Sequence, residues 1–174
     1  IVYLPSSIRR DSPEEQFYGQ GLNNHVSVDI FIIDDLHDNP LMRKMTLGLL
    51  YFIYGLGLGH RYELNMEKYK GISGPIVSAL SKLGRRVSAR RLIRWYDRIS
   101  QLGRGHGKKH GECFYGNFLI QDLKLVYKKD WFSETVPVML DQESFPAPRE
   151  WNKVLRTLYG DYMKLPPEKD RVYT

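Results

Sequence analysis

The sequence contains a single cysteine, Cys113, among its 174 residues. One thiol cannot form an internal disulfide, which excludes a disulfide framework and is compatible with a reducing compartment. A long hydrophobic run is also missing, because the apolar stretch within residues 41–59 is shorter than the ~20 residues that a bilayer-spanning helix needs. Hydrophobic residues make up 42% of the chain, so we expect its fold to depend on a core of ordinary size.

Several catalytic signatures are absent as well. The sequence has no G-x-S-x-G, no P-loop, no G-x-G-x-x-G and no H-E-x-x-H. Nothing in it therefore indicates nucleophilic catalysis by serine or cysteine, or a glycine-rich phosphate cradle of a known kind.

Basic residues outnumber acidic ones, giving a formal net charge of +6. This balance favours anionic partners such as nucleotides, phosphorylated glycans, anionic lipids or nucleic acid, with an inert basic surface as the alternative. The arginine-rich stretch RRVSARRLIRWYDR raises the question of nucleic acid. We favour that partner less, because a basic helix is usually solvated or faces acidic lipids.

Two hydrophobic segments dominate the first half of the chain. Residues 26–33 read VSVDIFII and predict a strand that is largely buried in its second half. Residues 41–59 are apolar on nearly every side and predict a buried helix. Because cations flank this helix at both ends, an interfacial helix that contacts a membrane through residues 45–59 is the alternative.

The second half is predicted to contain two amphipathic helices separated by a loop and short strands. The first helix covers residues 88–102, with Ser88 as its N-cap. The last helix carries Pro148 in its first turn and ends near Tyr162. Short strands are predicted at 117–120, 123–127 and 136–141. These elements predict one α+β domain over residues 1–174.

Asp29 stands inside the first predicted strand. A carboxylate in an apolar strand needs a cation, a metal or hydrogen-bond donors, unless it opens the strand and faces water; the residues alone leave both interpretations open. Asp34 and Asp35 suit a loop or a cap. Phosphoryl transfer needs two or three carboxylates around Mg²⁺, so one strand aspartate does not make such a site.

A second group of candidate ligands is His106, His110 and Cys113, with the spacing H-x3-H-x2-C. Their atoms suit zinc. Glycines within the segment oppose the helix that this spacing would need, and no fourth ligand is evident. We therefore prefer a mobile basic loop, with a zinc site as the alternative.

Two separate segments together resemble one known family. VDIFIID occurs at residues 28–34, and KKDWF is followed by FPAPREWNKVLRTLYGDYMKLPPEKDR, which ends at residue 171. This combination closely resembles the C-terminal two thirds of the LicD family of bacterial phosphocholine transferases, which is related to fukutin-type ribitol-phosphate transferases. The family pattern is V-D-I-F-P-L-D, a hydrophobic helical middle, K-x-W-F, P-x-P, Y-G-D-Y-M and L-P-P-E-x-x-R.

The resemblance implies a nucleotidyltransferase-like fold that uses a CDP-activated donor and Mg²⁺ or Mn²⁺. The expected reaction moves phosphocholine or a similar phospho-alcohol to a cell-surface glycan, such as a teichoic acid or lipopolysaccharide precursor. Asp29 matches the third acidic position of the family's metal site, and Asp34 matches the second aspartate of the same motif. The terminal motif is matched by Tyr159, Gly160, Asp161, Tyr162, Pro166, Pro167, Glu168 and Arg171. These residues either border the donor site or pack structurally, and we expect Asp161 to pair with Arg171.

The sequence also departs from the family. The opening G-G-T-L-L-G segment and the W-D-D-D-I-D strand, which supply the other metal carboxylates, are not in this chain. Ile32 replaces the family's proline, and Asp141 stands near its F-E-G glutamate. We therefore expect a partial domain, lacking the N-terminal catalytic segment and inactive by itself. The expected location is the cytoplasm, with the inner face of the membrane as an option. The alternative function is a noncatalytic basic module that binds an anionic membrane or glycan.

Overall fold

The computed structural model describes residues 2–7, 13, 17, 25–28, 30–69, 71, 73–164 and 167; for 2–7 and 25–28 it describes the backbone alone. These residues form four α-helices, several short 3₁₀ turns and three small antiparallel sheets. The mixture confirms the α+β class. No helix in the described part of the chain has both the length and the apolar character needed to cross a membrane.

Seven strands form the three sheets. Strand β1 (Val2–Ser7) pairs with β2 (His25–Val28). Strands β3 (Ile33–Asp35), β4 (Glu112–Tyr115) and β5 (Tyr127–Lys128) form the second sheet, with β4 in the middle. The third sheet is a hairpin of β6 (Thr135–Leu140) and β7 (Glu143–Pro148).

The helices are α1 (Pro40–Gly57), α2 (Ser73–Gly84), α3 (Ala89–Ser100) and α4 (Trp151–Tyr159). Helix α1 begins at Pro40 because the Asn39 side chain accepts hydrogen bonds from the next backbone amides, 2.9 Å away at Leu41. An asparagine cap followed by proline is a favoured helix start. Helix α4 ends at Gly160, whose φ of 69° is a conformation that glycine adopts without strain.

The main core lies where α1 and α3 cover the β3–β4 sheet. Helix α1 packs against both α2 and α3. Gly84 at the end of α2 has no side chain because a Cβ there would overlap the Leu56 carbonyl of α1. The buried residues of this core are Leu36, Leu50, Ile53, Leu56, Leu92, Tyr96, Phe114 and Leu123.

The predicted strand over residues 26–33 is wrong in its second half. The chain leaves β2 after Val28 and enters β3 at Ile33, and residues 30–32 have no regular structure. Ile30 and Phe31, predicted to be buried, are exposed. The reason is long-range pairing: β2 pairs with β1, whereas β3 pairs with β4, so the segment between them crosses from one sheet to another.

The helix over residues 41–59 is confirmed, with α1 covering residues 40–57, but it is not buried all round. Its inner face contains Leu50 and Ile53, whereas Leu49 and Phe52 face outward. Helix α3 confirms the helix predicted over residues 88–102, although the Ser88 side chain makes no capping hydrogen bond. Helix α2 was not predicted.

The other strand predictions had mixed outcomes. The strand predicted at 136–141 is confirmed as β6, whereas 117–120 contains no strand. Of the strand predicted at 123–127, only Tyr127 lies in a strand, β5, and residues 122–124 form a 3₁₀ turn. Pro148 lies in β7 and not in the last helix, which begins at Trp151. Among the described strands, β7 pairs with β6 alone, and such an edge strand tolerates prolines because its free side needs no N–H donors.

Candidate functional site

Asp34 lies in β3, and only 3% of its surface is exposed. The prediction of a loop or cap position was wrong, because pairing with Phe114 of β4 extends the strand through this residue. A side chain at position 116 would overlap the Asp34 carboxylate, so Gly116 leaves the space that this carboxylate occupies. A buried carboxylate is costly unless a cation, water or hydrogen-bond donors lie beside it.

A second buried carboxylate, Asp122, belongs to the same region and is 6% exposed. Burial, followed by the charges of Asp122 and Asp34, raises the pKa of Tyr96 far above its usual range. Tyr96 is itself only 1% exposed, and its hydroxyl oxygen has no hydrogen-bond partner among the described residues. Two buried carboxylates thus lie within electrostatic reach of one unpartnered hydroxyl.

A third carboxylate, Asp97, lies nearer the surface on α3. Partial burial, and then the charge of Asp34, raises the pKa of Asp97 above its usual range. The region is therefore acidic, and a positive charge nearby would offset the repulsion among its carboxylates.

Asn117 connects Asp122 to the segment that precedes Asp34. Its Nδ2 donates to an Asp122 carboxylate oxygen at 3.2 Å, and its Oδ1 accepts from the Ile32 amide at 3.4 Å. The Gly116 amide also donates to the Ile32 carbonyl, at 2.8 Å. These bonds hold residues 116–117 against Ile32 of the VDIFIID motif.

The neighbouring Asp35 has a different environment. Its carboxylate accepts a hydrogen bond from Lys129 Nζ at 2.9 Å, and both side chains are partly buried. Successive residues of a strand point to opposite faces, so Asp34 and Asp35 are directed to different surroundings. The cation of Lys129 is therefore engaged with Asp35.

The end of α4 lies near the same acidic region. Burial is the main cause of raised pKa values at Tyr115 and Tyr127, and Asp122 and Tyr159 both contribute to each of these shifts. The Tyr127 hydroxyl is a second buried group without a hydrogen-bond partner among the described residues. Tyr159 itself is exposed. The first residue of the terminal motif and the buried Asp122 thus lie within electrostatic reach of the same two tyrosines.

The remaining motif residues have diverse positions. Gly160 ends α4, Asp161 is exposed, and the Tyr162 hydroxyl donates to Asn152 Oδ1 at 3.0 Å. Pro167 is exposed. The expected pairing of Asp161 with Arg171 lies outside the described residues, as do Asp29, Pro166 and Glu168.

The candidate zinc ligands have separate partners. His106 stacks on His37, with ring centres 5.1 Å apart, and His110 Nδ1 lies 2.8 Å from the Asp130 carboxylate. Cys113 is fully buried in β4. In the part of the chain that the structure describes, no group of three or more His, Cys, Asp or Glu residues is arranged to hold a metal ion. That finding also applies to the carboxylates around Tyr96, so a complete metal site needs further ligands.

Sequence reasoning missed three residues of this region: Asp122, Asn117 and Tyr96. None of them belongs to a motif; Asn117 falls within a predicted strand, and Asp122 lies between two predicted strands. A local signal was nevertheless present, since G-N dipeptides favour turns and a turn here carries Asn117 toward Asp122.

Comparison with known proteins gave no match: no protein-family model, no curated protein and no solved structure corresponds to the chain.

Proposed function

We propose that this chain is the C-terminal part of a LicD-like transferase with a nucleotidyltransferase-like fold. It moves phosphocholine or a similar phospho-alcohol from a CDP-activated donor to a cell-surface glycan, such as a teichoic acid or lipopolysaccharide precursor. One observation carries the proposal: Asp34 of the VDIFIID motif and Asp122 are both buried within electrostatic reach of the Tyr96 hydroxyl, which has no hydrogen-bond partner among the described residues. Their position near Tyr159 of the terminal motif supports a common site.

Asp34 and Asp122 are the proposed ligands of Mg²⁺ or Mn²⁺ among the described residues. Carboxylate oxygens are the ligands that these hard cations prefer. The proposal assigns a third ligand to Asp29, one residue before the exposed Ile30. A bound divalent cation would neutralise charge on the donor's diphosphate. Asn117 orients Asp122 for this role through the hydrogen bond to its carboxylate.

Aromatic side chains border the proposed site. Phe31 is exposed and packs on Tyr115 with ring centres 5.6 Å apart, and Tyr159 is exposed near the same tyrosine. Exposed aromatic faces bind quaternary ammonium groups and stack on flat rings. This surface therefore suits the cytosine base or the alcohol of the proposed donor.

The test replaces Asp34 by asparagine in the complete protein. Asp34→Asn keeps the side-chain shape but removes the charge, and we expect the Mg²⁺-dependent release of CMP from a CDP-linked donor to fall at least about 100-fold. Asp35→Asn is the matched control, because that carboxylate pairs with Lys129, and we expect its turnover to stay within about threefold of wild type.

Two further variants test the wider carboxylate set. Asp122→Asn and Asp29→Ala should each abolish the same metal-dependent turnover while circular dichroism stays unchanged. Normal turnover in Asp34→Asn or Asp29→Ala would refute the assignment of these residues. Equal losses in Asp34→Asn and Asp35→Asn would indicate damage to the strand and not to a site.

A second candidate function follows from the outer face of α1. Leu41, Met45, Leu49 and Phe52 are all exposed and recur at helical spacing along this face. A basic chain with an exposed apolar helix face suits an anionic bilayer, to which the face contributes apolar burial and the cations contribute attraction. The second proposal is peripheral binding to a membrane through residues 45–59, where Met45, Leu49 and Phe52 supply the exposed apolar side chains.

Flotation with phosphatidylcholine vesicles, with and without phosphatidylserine, tests the membrane proposal. Replacing Met45, Leu49 and Phe52 by serine should lower the bound fraction at least about tenfold, since each loses apolar contact with the bilayer. Serines at Met139 and Leu140, which are exposed on the β6 strand, provide a control of similar polarity change. Equal binding by both sets of variants would exclude a specific role of α1.

A further inference from the structure

A cavity of about 290 Å³ lies between α1, α3 and the segment after β4. It is distinct from the acidic region, although Phe118 at its wall also packs on the Tyr96 ring, 4.8 Å away between centres. Its volume lies just below the ~300–1,000 Å³ typical of small-molecule pockets. The side chains that define it are mostly apolar: Tyr54, Leu58, Leu92, Ile93 and Phe118, with Arg61 as the cation.

Arg61 is a positioned cation for which the described part of the chain supplies no ion-pair partner. Its Nη2 donates to the Tyr54 hydroxyl at 2.6 Å, and its guanidinium carbon lies 5.7 Å from the centre of the Tyr54 ring. No described acidic residue forms an ion pair with it. A guanidinium held against a tyrosine at the edge of a cavity is well suited to bind an anionic group.

The Tyr54 hydroxyl adds a hydrogen-bond donor beside this cation. Tyr54 is 6% exposed, and its oxygen accepts from Arg61 while its own proton has no acceptor among the described residues. Burial raises the pKa of Tyr54, and this effect outweighs the opposing charge of Arg61. The hydroxyl therefore remains protonated and can donate to a ligand.

The turn that carries Arg61 is fixed by close packing. His60 Nε2 lies 2.8 Å from the Val87 carbonyl and 3.1 Å from the Gly84 carbonyl, so this nitrogen carries the proton. Gly59 lies so close to α2 that a Cβ there would overlap the Ser81 carbonyl. Arg61 thus follows a turn anchored on both sides, which reduces the entropy lost when a ligand binds.

Further positive charge surrounds the entrance. Ile93 lines the cavity and also an open depression that it shares with Arg90 and Arg94. Neither arginine forms an ion pair with a described acidic residue. Ala89, the first residue of α3, lines the cavity as well, and the partial positive charge of a helix N-terminus adds to the local field.

We propose that this cavity binds an anionic amphiphile, in which one phosphate is attached to an apolar chain. The phosphate contacts Arg61 and the Tyr54 hydroxyl, and the first part of the chain fills the space between Leu92 and Phe118. Neither part of the site is sufficient for specific binding by itself, because Arg61 is exposed to water and the apolar walls offer no specificity. This inference does not depend on the proposed transferase activity. Such a ligand is either a bilayer lipid or a soluble phosphate monoester.

Isothermal titration of the whole chain with octyl phosphate, below its micelle concentration, tests the proposal. Octyl glucoside supplies the same chain without charge, and inorganic phosphate supplies the charge without a chain. We expect octyl phosphate to bind at least about tenfold more tightly than either, because only this probe uses both parts of the site. Equal affinity for the three probes, or no binding of octyl phosphate, would overturn the proposal.

Variants locate the binding. Arg61→Gln should weaken octyl phosphate at least about tenfold, whereas Arg98→Gln, the same charge change on α3 away from the cavity, should have little effect. Ile93→Asp, at a half-exposed position where folding tolerates a charge, should cause a comparable loss and replaces Arg61→Gln if that variant fails to fold. Equal effects of Arg61→Gln and Arg98→Gln would overturn the assignment.

A vesicle arm distinguishes the two sources of the ligand. If octyl phosphate competes with vesicles containing phosphatidic acid, and Arg61→Gln weakens both, the cavity takes the head group and first methylenes of a lipid. If octyl phosphate binds and vesicles do not, the ligand is a soluble monoester. Binding to vesicles alone, unchanged in Arg61→Gln, contradicts the cavity and leaves only surface attachment.

Discussion

Replacing Tyr96 by phenylalanine should stabilise the protein, although most core substitutions do the reverse. The Tyr96 hydroxyl is buried without a hydrogen-bond partner among the described residues. Leaving such a group unsatisfied costs about 1–3 kcal/mol, and Phe removes the group while keeping the ring against Phe118. We expect the free energy of unfolding to rise by about 1–2 kcal/mol.

Urea unfolding and thermal unfolding, followed by circular dichroism, measure this change. For a chain of this length, each kcal/mol corresponds to about 2–4 °C in Tm, so the rise should be about 2–8 °C. Tyr127→Phe should behave in the same way, because its hydroxyl likewise has no hydrogen-bond partner in the part of the chain that the structure describes. Tyr54→Phe is the contrasting control: its hydroxyl accepts from Arg61 at 2.6 Å, and we expect a loss of about 1–2 kcal/mol.

The variants compare the Tyr96 hydroxyl, which has no described hydrogen-bond partner, with the Tyr54 hydroxyl, which has one. A Tyr96→Phe variant that is less stable than wild type by 1 kcal/mol or more would refute the reasoning, because its hydroxyl would then have a real partner beside Asp34 and Asp122. Repeating the measurement with and without Mg²⁺ identifies that partner, since a bound cation stabilises the folded state by mass action.

Three further outcomes are expected. Gly116→Ala places a methyl group against the Asp34 carboxylate, so the urea midpoint should fall by the equivalent of about 1–3 kcal/mol, and an unchanged midpoint would contradict the packing. Burial, and then the charge of Asp35, raises the pKa of the Cys113 thiol to about 11. The stability that the protonated thiol contributes is therefore complete below its ordinary pKa of 9.0 and is lost as the pH rises toward 11. The thiol of the folded protein should resist a disulfide reagent that labels the urea-unfolded chain. Fast labelling of the folded protein would show that the Cys113 thiol is accessible. Lys129→Met leaves the partly buried Asp35 without its ion-pair partner and should lower the free energy of unfolding by about 1–2 kcal/mol. Adding Asp35→Asn should restore part of this stability. A double variant that is no more stable than Lys129→Met would show that the ion pair is not the source of the loss.

Local sequence patterns were sufficient to predict the two principal helices, α1 and α3. Helix α1 begins at a proline and carries a continuous apolar run, and α3 carries apolar side chains at a 3.6-residue period. Both signals arise within one segment, so they do not depend on distant residues. The strand over residues 26–33 failed because a strand needs partners, and these residues find different partners in two separate sheets.

The sequence by itself determined the α+β composition, the basic charge, and the two segments whose resemblance led to the proposed transferase. Only the tertiary structure decided that Asp34 and Asp122 are buried within electrostatic reach of Tyr96, and that Arg61 stands at the edge of an apolar cavity without an ion-pair partner among the described residues. The physical reason is that burial and electrostatic environment depend on which distant segments pack together. The β3–β4 pairing and the contacts of α1 with α2 and α3 set both environments.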